Sequence, residues 1–334
     1  MTLIIGQLAA LTAALFWALA TLLYNRSSLH LSAAQLNLVK GLVACPLLII
    51  CVYLFGLGFE IQINSPALWL LLASGVIGIT IGDTCYFSAL RRLGPSHTIL
   101  LEYLAPPFAA ILAWFFLRER LSLIEIIAAL TVIAGVTYVL SEKRMGATRV
   151  SQKRQVQELK VQTRKVHEQM VQKQPDGPEQ ATARAKPVLS RSGLAFAVTA
   201  AWCQAVGLVM AFHALQAFEI NALQAALVRL AGGTFALTIG LLIVAPKLLF
   251  STKRALANSR LLPLFTAIFF GTFLAIGLQQ LAIAYVTPGI AQTLLATAPL
   301  FMLLIGIVQG KPVSARAMIG TLVALLGIAL LFIR

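Results

Sequence analysis

Residues 89–108 read ALRRLGPSHTILLEYLAPPF, and residues 282–301 read AIAYVTPGIAQTLLATAPLF. A constant shift along the chain aligns these two stretches and makes six residue pairs identical. The pairs are Ala89 and Ala282, Pro95 and Pro288, Leu101 and Leu294, Ala105 and Ala298, Pro106 and Pro299, and Phe108 and Phe301. Similarity at a fixed separation is typical of an internal repeat, so we expect two related halves.

The repeat extends beyond these stretches. Three further correspondences fall in apolar segments: Trp17 with Trp202, Lys40 with Arg229, and Gly135 with Gly327. Chance similarity between two apolar sequences is the alternative explanation. The paired prolines and the paired basic residues favour a true repeat.

Composition predicts an all-α integral membrane protein. Hydrophobic residues make up 59% of the chain and charged residues 11%, whereas a soluble domain carries about 25% charged residues. Ten apolar runs approach the length of about 20 residues that spans a bilayer. They cover residues 3–24, 33–55, 67–90, 96–117, 123–140, 193–213, 222–245, 262–285, 289–309 and 313–333. No repeated alternation of polar and apolar residues suggests a β-barrel.

A polar segment divides the ten predicted transmembrane helices into two repeats, 1–140 and 191–334. Residues 141–191 contain 12 Lys or Arg and 5 Asp or Glu. The linker, 141–190, is either a solvated chain or in part an amphipathic helix near anionic headgroups. Five spans are an odd number, so the second half must cross the membrane in the opposite sense. The predicted architecture is therefore a 5+5 inverted-topology repeat, which is typical of secondary transporters.

These features resemble the EamA branch of the drug/metabolite transporter superfamily. The resemblance rests on the five-plus-five spans, Trp17, the basic residue in span two and the A-P-x-F element of spans four and nine. Glu119 in LRERLS resembles the short acidic turn of that family, although the counterpart near Lys311 lacks the acid. The resemblance implies a carrier, and more specifically an exporter, of a small metabolite such as an amino acid or an organic anion. A channel or a polytopic membrane protein without transport activity is the alternative.

Charge distribution predicts the orientation. The net charge of +15 does not indicate a nucleic-acid partner, because the basic residues lie mainly between the apolar runs. Outside the linker, nine Lys or Arg residues lie on one predicted side and three on the other. We expect the protein in the inner cell membrane. The positive-inside rule then places the linker in the cytoplasm and both termini outside. The family resemblance implies both termini inside, so the two expectations conflict. The first run has no basic residue before it, so we expect a retained span and not a cleaved signal peptide.

Charged residues inside the predicted spans are the main candidates for a functional site. Lys40, Asp83 and Glu102 each lie about 10 Å below the same membrane face, as estimated from the helical rise. Two acids facing one base leave one carboxylate poorly compensated, and that carboxylate is a candidate for proton coupling. The alternative is a structural ion cluster that joins three helices.

Arg229 is predicted near the opposite face, so that Lys40 and Arg229 mark both mouths of one pathway for a carboxylate or phosphate substrate. Snorkelling to the headgroups is the alternative role. Trp17, Tyr86 and Gln279 are further candidates for substrate binding, with helix–helix hydrogen bonding as the alternative.

Pro106 and Pro299 occupy equivalent places within two spans. A proline inside a helix removes a backbone hydrogen bond and bends the helix. We therefore predict paired kinks that gate the cavity, or else static kinks that shape the bundle.

Several functions have no support in the sequence. The sequence contains neither the H-E-x-x-H motif of zinc proteases nor the G-x-S-x-G nucleophile elbow of hydrolases, so an enzyme is not predicted. The four cysteines, which fall within predicted spans, form no CxxC pair and are interpreted as packing residues. Neither a metal nor a cofactor is predicted, and the oligomeric state is not indicated.

Overall fold

The computed structural model describes residues 2–27, 30–57, 65–93, 98, 101–102, 104–118, 122–124, 126–135, 137–138, 190–218, 220–308 and 315–332. Within these ranges every regular element is a helix, as the sequence predicts. The predicted linker, apart from Ser190, lies outside the described residues, as do Tyr103 and Glu119.

Twelve helices can be followed through the described ranges. They are α1 (Thr2–Ser27), α2 (Ala33–Leu54), α3 (Pro66–Leu93), α4 (Ala105–Leu117), α5 (Ile126–Gly135), α6 (Arg191–Phe218), α7 (Ala222–Val244), α8 (Pro246–Ala257), α9 (Leu261–Tyr285), α10 (Pro288–Leu295), α11 (Ala298–Val308) and α12 (Ala315–Phe332).

Six of these helices, α1, α2, α3, α6, α7 and α9, are long and apolar enough to cross a membrane. They coincide with six of the ten predicted runs. The other four runs correspond to helices that are shorter or interrupted: α4, α5, α10 with α11, and α12. The all-helical, multi-span class is thus confirmed, whereas the count of ten spans stays a prediction.

Many small residues of the long helices face inward, and many large apolar side chains face outward. Ala10, Ala13 and Ala14 on α1 are fully buried, whereas Val244 and Val308 are exposed over 83% and 88% of their surfaces. This distribution suits lipid, because helices in a bilayer associate through close backbone packing and lipid tails solvate the larger side chains.

Glycines let α3 lie very close to two other helices. A methyl group on Gly207 of α6 would come within 3.1 Å of the Gly78 Cα, and one on Gly233 of α7 within 2.7 Å of the Gly75 carbonyl oxygen. At the same crossings, the Ser74 hydroxyl donates to the Gly207 carbonyl at 2.5 Å and the Thr80 hydroxyl to the Gly233 carbonyl at 2.6 Å. Helix α3 is therefore fixed between α6 and α7.

Both α3 and α9 contain a π-helical segment, Val76–Asp83 and Phe269–Leu274 respectively. The wider turn presents side chains at an altered angle and leaves carbonyl groups less well paired. One such carbonyl, that of Ile79, accepts a hydrogen bond of 2.8 Å from the Asn37 side chain. The shift that aligns the two proline-containing stretches also aligns Val76 with Phe269, the first residues of the two segments.

The helices of the two blocks pack in a reciprocal manner. Helix α1 lies along α9, α6 lies along α3, and α2 packs against α7. Helix α4 contacts α6 in the same way that α10 contacts α1. Gly135 of α5 lies against the Gly320–Ala324 backbone of α12, and Gly327 lies against Val132.

We predict that Gly75→Ala destabilises the protein, because its new methyl group would overlap the Arg229 backbone on α7. Overpacking of this kind costs about 1–3 kcal/mol. Thermal unfolding of the full chain in detergent measures the effect. Gly240→Ala on α7 is the control, since nothing lies within 4 Å of the added methyl group. Equal melting temperatures for the two variants would contradict the close crossing.

Candidate functional site

A cavity lies at the centre of the bundle, where α1, α3, α4, α6, α7, α9, α10 and α11 meet. About 80 Å³ of it admits the centre of a water molecule. One water needs about 10–15 Å³ on that measure, so the cavity has room for several waters. Its polar or amphipathic lining residues are Trp17, Asp83, Glu102, Gln204, Arg229, Gln279 and Gln292.

Two helix breaks border this cavity. Helix α10 ends at Leu295, and after a turn in which the Thr297 N–H donates to the Leu294 carbonyl at 3.1 Å, α11 begins at Ala298. Helix α4 begins at Ala105 after a turn at Leu104. Ala105, Ala296 and Ala298 all line the cavity. Irregular backbone at membrane depth occurs where it borders a watery site, and discontinuous helices are typical of substrate sites in carriers.

The sequence predicts that Pro106 and Pro299 kink continuous helices. In the structure they do not. Pro106 is the second residue of α4, and Pro299 is the second residue of α11. At the first turn of a helix the missing N–H of proline leaves no hydrogen bond unmade. Both prolines therefore start a new helix beside the cavity. A gating role for them stays a prediction.

The Asp83 carboxylate is held from two sides. Its Oδ2 atom forms an ion pair with Lys40 of α2, and both side chains are almost fully buried. Its Oδ1 atom accepts a hydrogen bond of 2.8 Å from the Gln204 amide of α6. The Lys40 ammonium also lies over the Phe87 ring, 5.4 Å from its centroid. Asp83 thus joins α3 to α2 through Lys40 and to α6 through Gln204.

Arg229 borders the same cavity with unused donors. Only 2% of its surface is exposed. Its Nε and Nη1 atoms have no hydrogen-bond partner among the described residues. A buried guanidinium is unfavourable without an acceptor for its N–H groups. The cavity supplies the space for such an acceptor, which is either water or an anionic group of a ligand.

The structure corrects the expected placement of Arg229 at the far mouth of the pathway. Arg229 borders the same cavity as Asp83, and Lys40 is paired with Asp83. Each cation is seven residues into its helix, or about 10 Å from the helix start. In a hydrocarbon core of about 30 Å the remaining gap is about 10 Å, which two long side chains can span.

Glu102 also lines the cavity. The one ion pair among the described residues is that of Lys40 with Asp83, so Glu102 has no such partner there. The predicted cluster of three is therefore a pair with a separate carboxylate. Of the two acids, Asp83 is the one that is paired with a cation.

Tyr86 lies outside the main cavity, whereas Gln279 lines it as predicted. Tyr86 borders a small neighbouring void together with Lys40, Thr21 and Tyr24. Its hydroxyl is 3.4 Å from the Thr21 hydroxyl, and its ring centroid is 5.8 Å from that of Trp17. Trp17 borders both spaces and separates them.

Gln204 is a site residue that was not predicted from the sequence. Its position, two residues after Trp202 in an otherwise apolar span, was the available signal. Gln292, another polar residue within a predicted span, also lines the cavity. Helical periodicity alone does not reveal which of several isolated glutamines faces a partner on another helix.

Comparison with known proteins identifies the family. The EamA-like transporter family matches residues 4–141 and 191–333, which together cover most of the chain. The chain belongs to this family. It is therefore a multi-pass membrane protein of a transporter family, which confirms the resemblance seen in the sequence, and its surroundings are the lipid bilayer.

Two curated relatives are similar over part of the chain. Protein LicB of Haemophilus influenzae is 31% identical over 123 residues, which are 35% of this chain and 40% of LicB. The uncharacterized transporter YoaV of Bacillus subtilis is 22% identical over 143 residues, which are 42% of this chain and 49% of YoaV. The chain thus spans half or less of the length of each of these relatives.

A solved crystal structure shares the fold over nearly the whole length. It covers 98% of this chain and 96% of its own, with a TM-score of 0.65 and 17% sequence identity. At this identity the likeness extends to the arrangement of helices and not to the substrate.

We predict that Lys40→Met or Asp83→Asn alone lowers stability by about 3–5 kcal/mol, because each leaves its partner charge buried and uncompensated. The double variant should recover most of that loss. Unfolding midpoints of the full chain in detergent measure the effect, with exposed Lys247→Met on α8 as the control. Additive losses in the double variant would show that the two side chains do not form a coupled pair.

Proposed function

We propose that this chain is a secondary carrier for a small polar metabolite that bears a carboxylate or a phosphate, such as an amino acid or an organic anion. The observation that carries the proposal is the buried Arg229 guanidinium, whose Nε and Nη1 donors face no acceptor among the described residues. A planar guanidinium is well suited to bind either anion through paired hydrogen bonds. Gln279, Gln292 and Trp17 then line the remainder of the substrate site.

The charges around the cavity suggest proton coupling. Lys40 and Arg229 balance Asp83 and Glu102, so the empty site is electrically neutral when all four are ionised. A bound monoanion adds one negative charge, and proton uptake by Glu102 restores neutrality. A net charge is costly at membrane depth, so the substrate-loaded site would switch from one side of the membrane to the other most readily when it is neutral. Substrate and proton then move in the same direction.

Paired structural features favour alternating access between two inverted repeats, 1–140 and 191–334. The two π-helical segments begin at equivalent positions, and both blocks contain a helix break next to the cavity. The reciprocal packing of α1 on α9 and α6 on α3 further supports ten spans in two related bundles. Rocking of one bundle against the other would expose the site to each side in turn.

The proposed direction is export from the cell, with the linker in the cytoplasm and the protein in the inner membrane. Export of a metabolite down its own gradient would carry a proton outward with it. The linker position follows from the excess of basic residues on that side. An enzymatic role is not proposed.

Arg229→Gln tests the carrier proposal. The wild-type chain in detergent is first screened by thermal unfolding against amino acids, carboxylates and sugar phosphates, because a ligand at 100 times its Kd adds about 2.7 kcal/mol of stability. The stabilising compound should then show counterflow in proteoliposomes. We expect Arg229→Gln to abolish stabilisation by that compound, while the ligand-free variant still folds, because the Nε and Nη1 donors of Arg229 make no hydrogen bond that the substitution would break.

The control is Arg92→Gln, since Arg92 lies over the Phe196 ring, away from the cavity. Stabilisation and counterflow that persist in Arg229→Gln would refute substrate binding by Arg229. In the same assay Glu102→Gln should retain counterflow and lose the increase of uptake at acidic external pH. An unchanged pH response would refute coupling through Glu102. Ohmic conductance in place of counterflow would favour the alternative, a channel.

Cysteine labelling tests the inverted topology. Single cysteines at residue 165 in the linker and at Arg118 after α4 should react with a membrane-impermeant maleimide from opposite sides of the membrane in intact cells and inverted vesicles. The native cysteines are first replaced by alanine. Labelling of both positions from one side would contradict a membrane crossing between them, and with it the five spans predicted for the first repeat.

A further inference from the structure

The segment between α7 and α9 is a helix and not the basic loop that the sequence suggested. Residues Pro246–Ala257, PKLLFSTKRALA, form α8. Pro246 at its first position is well suited to start a helix. The length of twelve residues is too short to span a bilayer. Helix α8 therefore links two long helices at one end of the bundle.

One face of α8 is attached to the protein. Leu248 and Leu249 pack with Leu38 of α2 and Leu237 and Leu241 of α7. The Gln35 side-chain amide of α2 donates to the Leu248 carbonyl at 2.9 Å and to the Ser251 hydroxyl at 3.1 Å. Together these contacts fix which side of α8 faces away from the protein.

The outward face is basic with an aromatic residue at its centre. Lys247, Phe250, Lys253 and Arg254 are exposed, and Phe250 has 75% of its surface exposed. At 100° per residue, Lys247 and Arg254 lie on one side of Phe250 and Lys253 on the other. The face thus presents a ring that can enter the headgroup region, flanked by three cations.

No acidic residue of the protein neutralises these cations in the described structure. The chain contains no Asp or Glu after Glu219, and neither α2 nor α7, the helices packed on α8, contains one. Other basic residues are used internally: Arg91 donates to the Leu31 carbonyl, and Arg92 lies 4.5 Å from the Phe196 ring centroid. Lys247, Lys253 and Arg254 make no such contact among the described residues.

Exposed apolar side chains place α8 at the level of the lipid surface. Val244, at the end of α7, is exposed over 83% of its surface, and Leu262, at the start of α9, over 80%. Such surfaces are stable in hydrocarbon and not in water. Because α8 connects these two points, it lies at the boundary between hydrocarbon and headgroups.

We propose that the outward face of α8 binds the phosphates of anionic phospholipids. Lys247, Lys253 and Arg254 supply the charge, and Phe250 inserts beside the acyl chains. An aromatic residue among cations, on a short helix parallel to the membrane, is the arrangement by which interfacial helices hold anionic lipid. The site is separate from the central cavity and does not depend on which substrate the protein carries.

Native mass spectrometry of the full chain tests the proposal. The purified protein is mixed with equal amounts of phosphatidylglycerol and phosphatidylcholine, and the retained lipids are counted. We expect the wild type to retain phosphatidylglycerol preferentially. The triple variant K247Q/K253Q/R254Q should lose this preference, with up to about a fivefold loss for each cation removed. The conservative variant K247R/K253R/R254K should retain it.

The matched control removes three linker cations, Lys153, Arg154 and Lys160, by substitution with Gln. It changes the net charge equally, so an equal loss in both triple variants would overturn a dedicated site on α8. Glycerol 3-phosphate, the headgroup without acyl chains, should not displace the lipid at equal concentration. Displacement would assign the site to a soluble anion and overturn the lipid assignment. Unaltered lipid preference in K247Q/K253Q/R254Q would also overturn it.

Discussion

The Asp83 carboxylate is the constraint on which the centre of the bundle depends. A buried carboxylate is stable in this position only if its charge and its lone pairs are satisfied. Lys40 of α2 supplies the charge and Gln204 of α6 supplies a hydrogen bond. Gln204 can reach Asp83 because α3 contacts α6 through glycines that let the two backbones touch. The tight crossing and this hydrogen bond therefore stabilise each other.

Arg229 differs from Lys40 although the two occupy equivalent places in the sequence. Lys40 has a permanent acidic partner, whereas the second block offers none, since the position equivalent to Asp83 is Ile276, which also lines the cavity. This asymmetry leaves one side of the cavity with a compensated pair and the other with a cation whose Nε and Nη1 donors are unused. A binding site for an exchangeable anion requires such an imbalance, because a fully paired site has no donors to offer.

The sequence predicted the helical class, the family and most of the site, for identifiable reasons. Charges within apolar runs are rare, so Lys40, Asp83, Glu102 and Arg229 stand out without any alignment. Position along the membrane normal was harder to predict. Arg229 was expected at the far mouth, but it borders the same cavity as Asp83, because long side chains span the difference in depth. The helix breaks were interpreted as kinks because a proline has the same sequence signature inside a helix and in its first turn. Helix α8 was not predicted, because its three basic residues interrupt the apolar pattern and made the segment resemble a loop.

The helix breaks and the π-helical segments have one physical consequence in common. Both leave backbone groups without their usual helical partners, and such groups are stable at membrane depth only beside water or side-chain partners. The Asn37 side chain donates such a hydrogen bond to the Ile79 carbonyl, and Ala105 and Ala296, at the two helix breaks, line the central cavity. Segments of this kind are less rigid than a continuous α-helix, because fewer of their backbone hydrogen bonds are ideal. The helix breaks and the π-helical segment of α3 thus lie beside the charged site, whereas the glycine crossings hold α3 against α6 and α7. If one bundle moves against the other, these weaker segments are where the backbone can bend without breaking the buried ion pair.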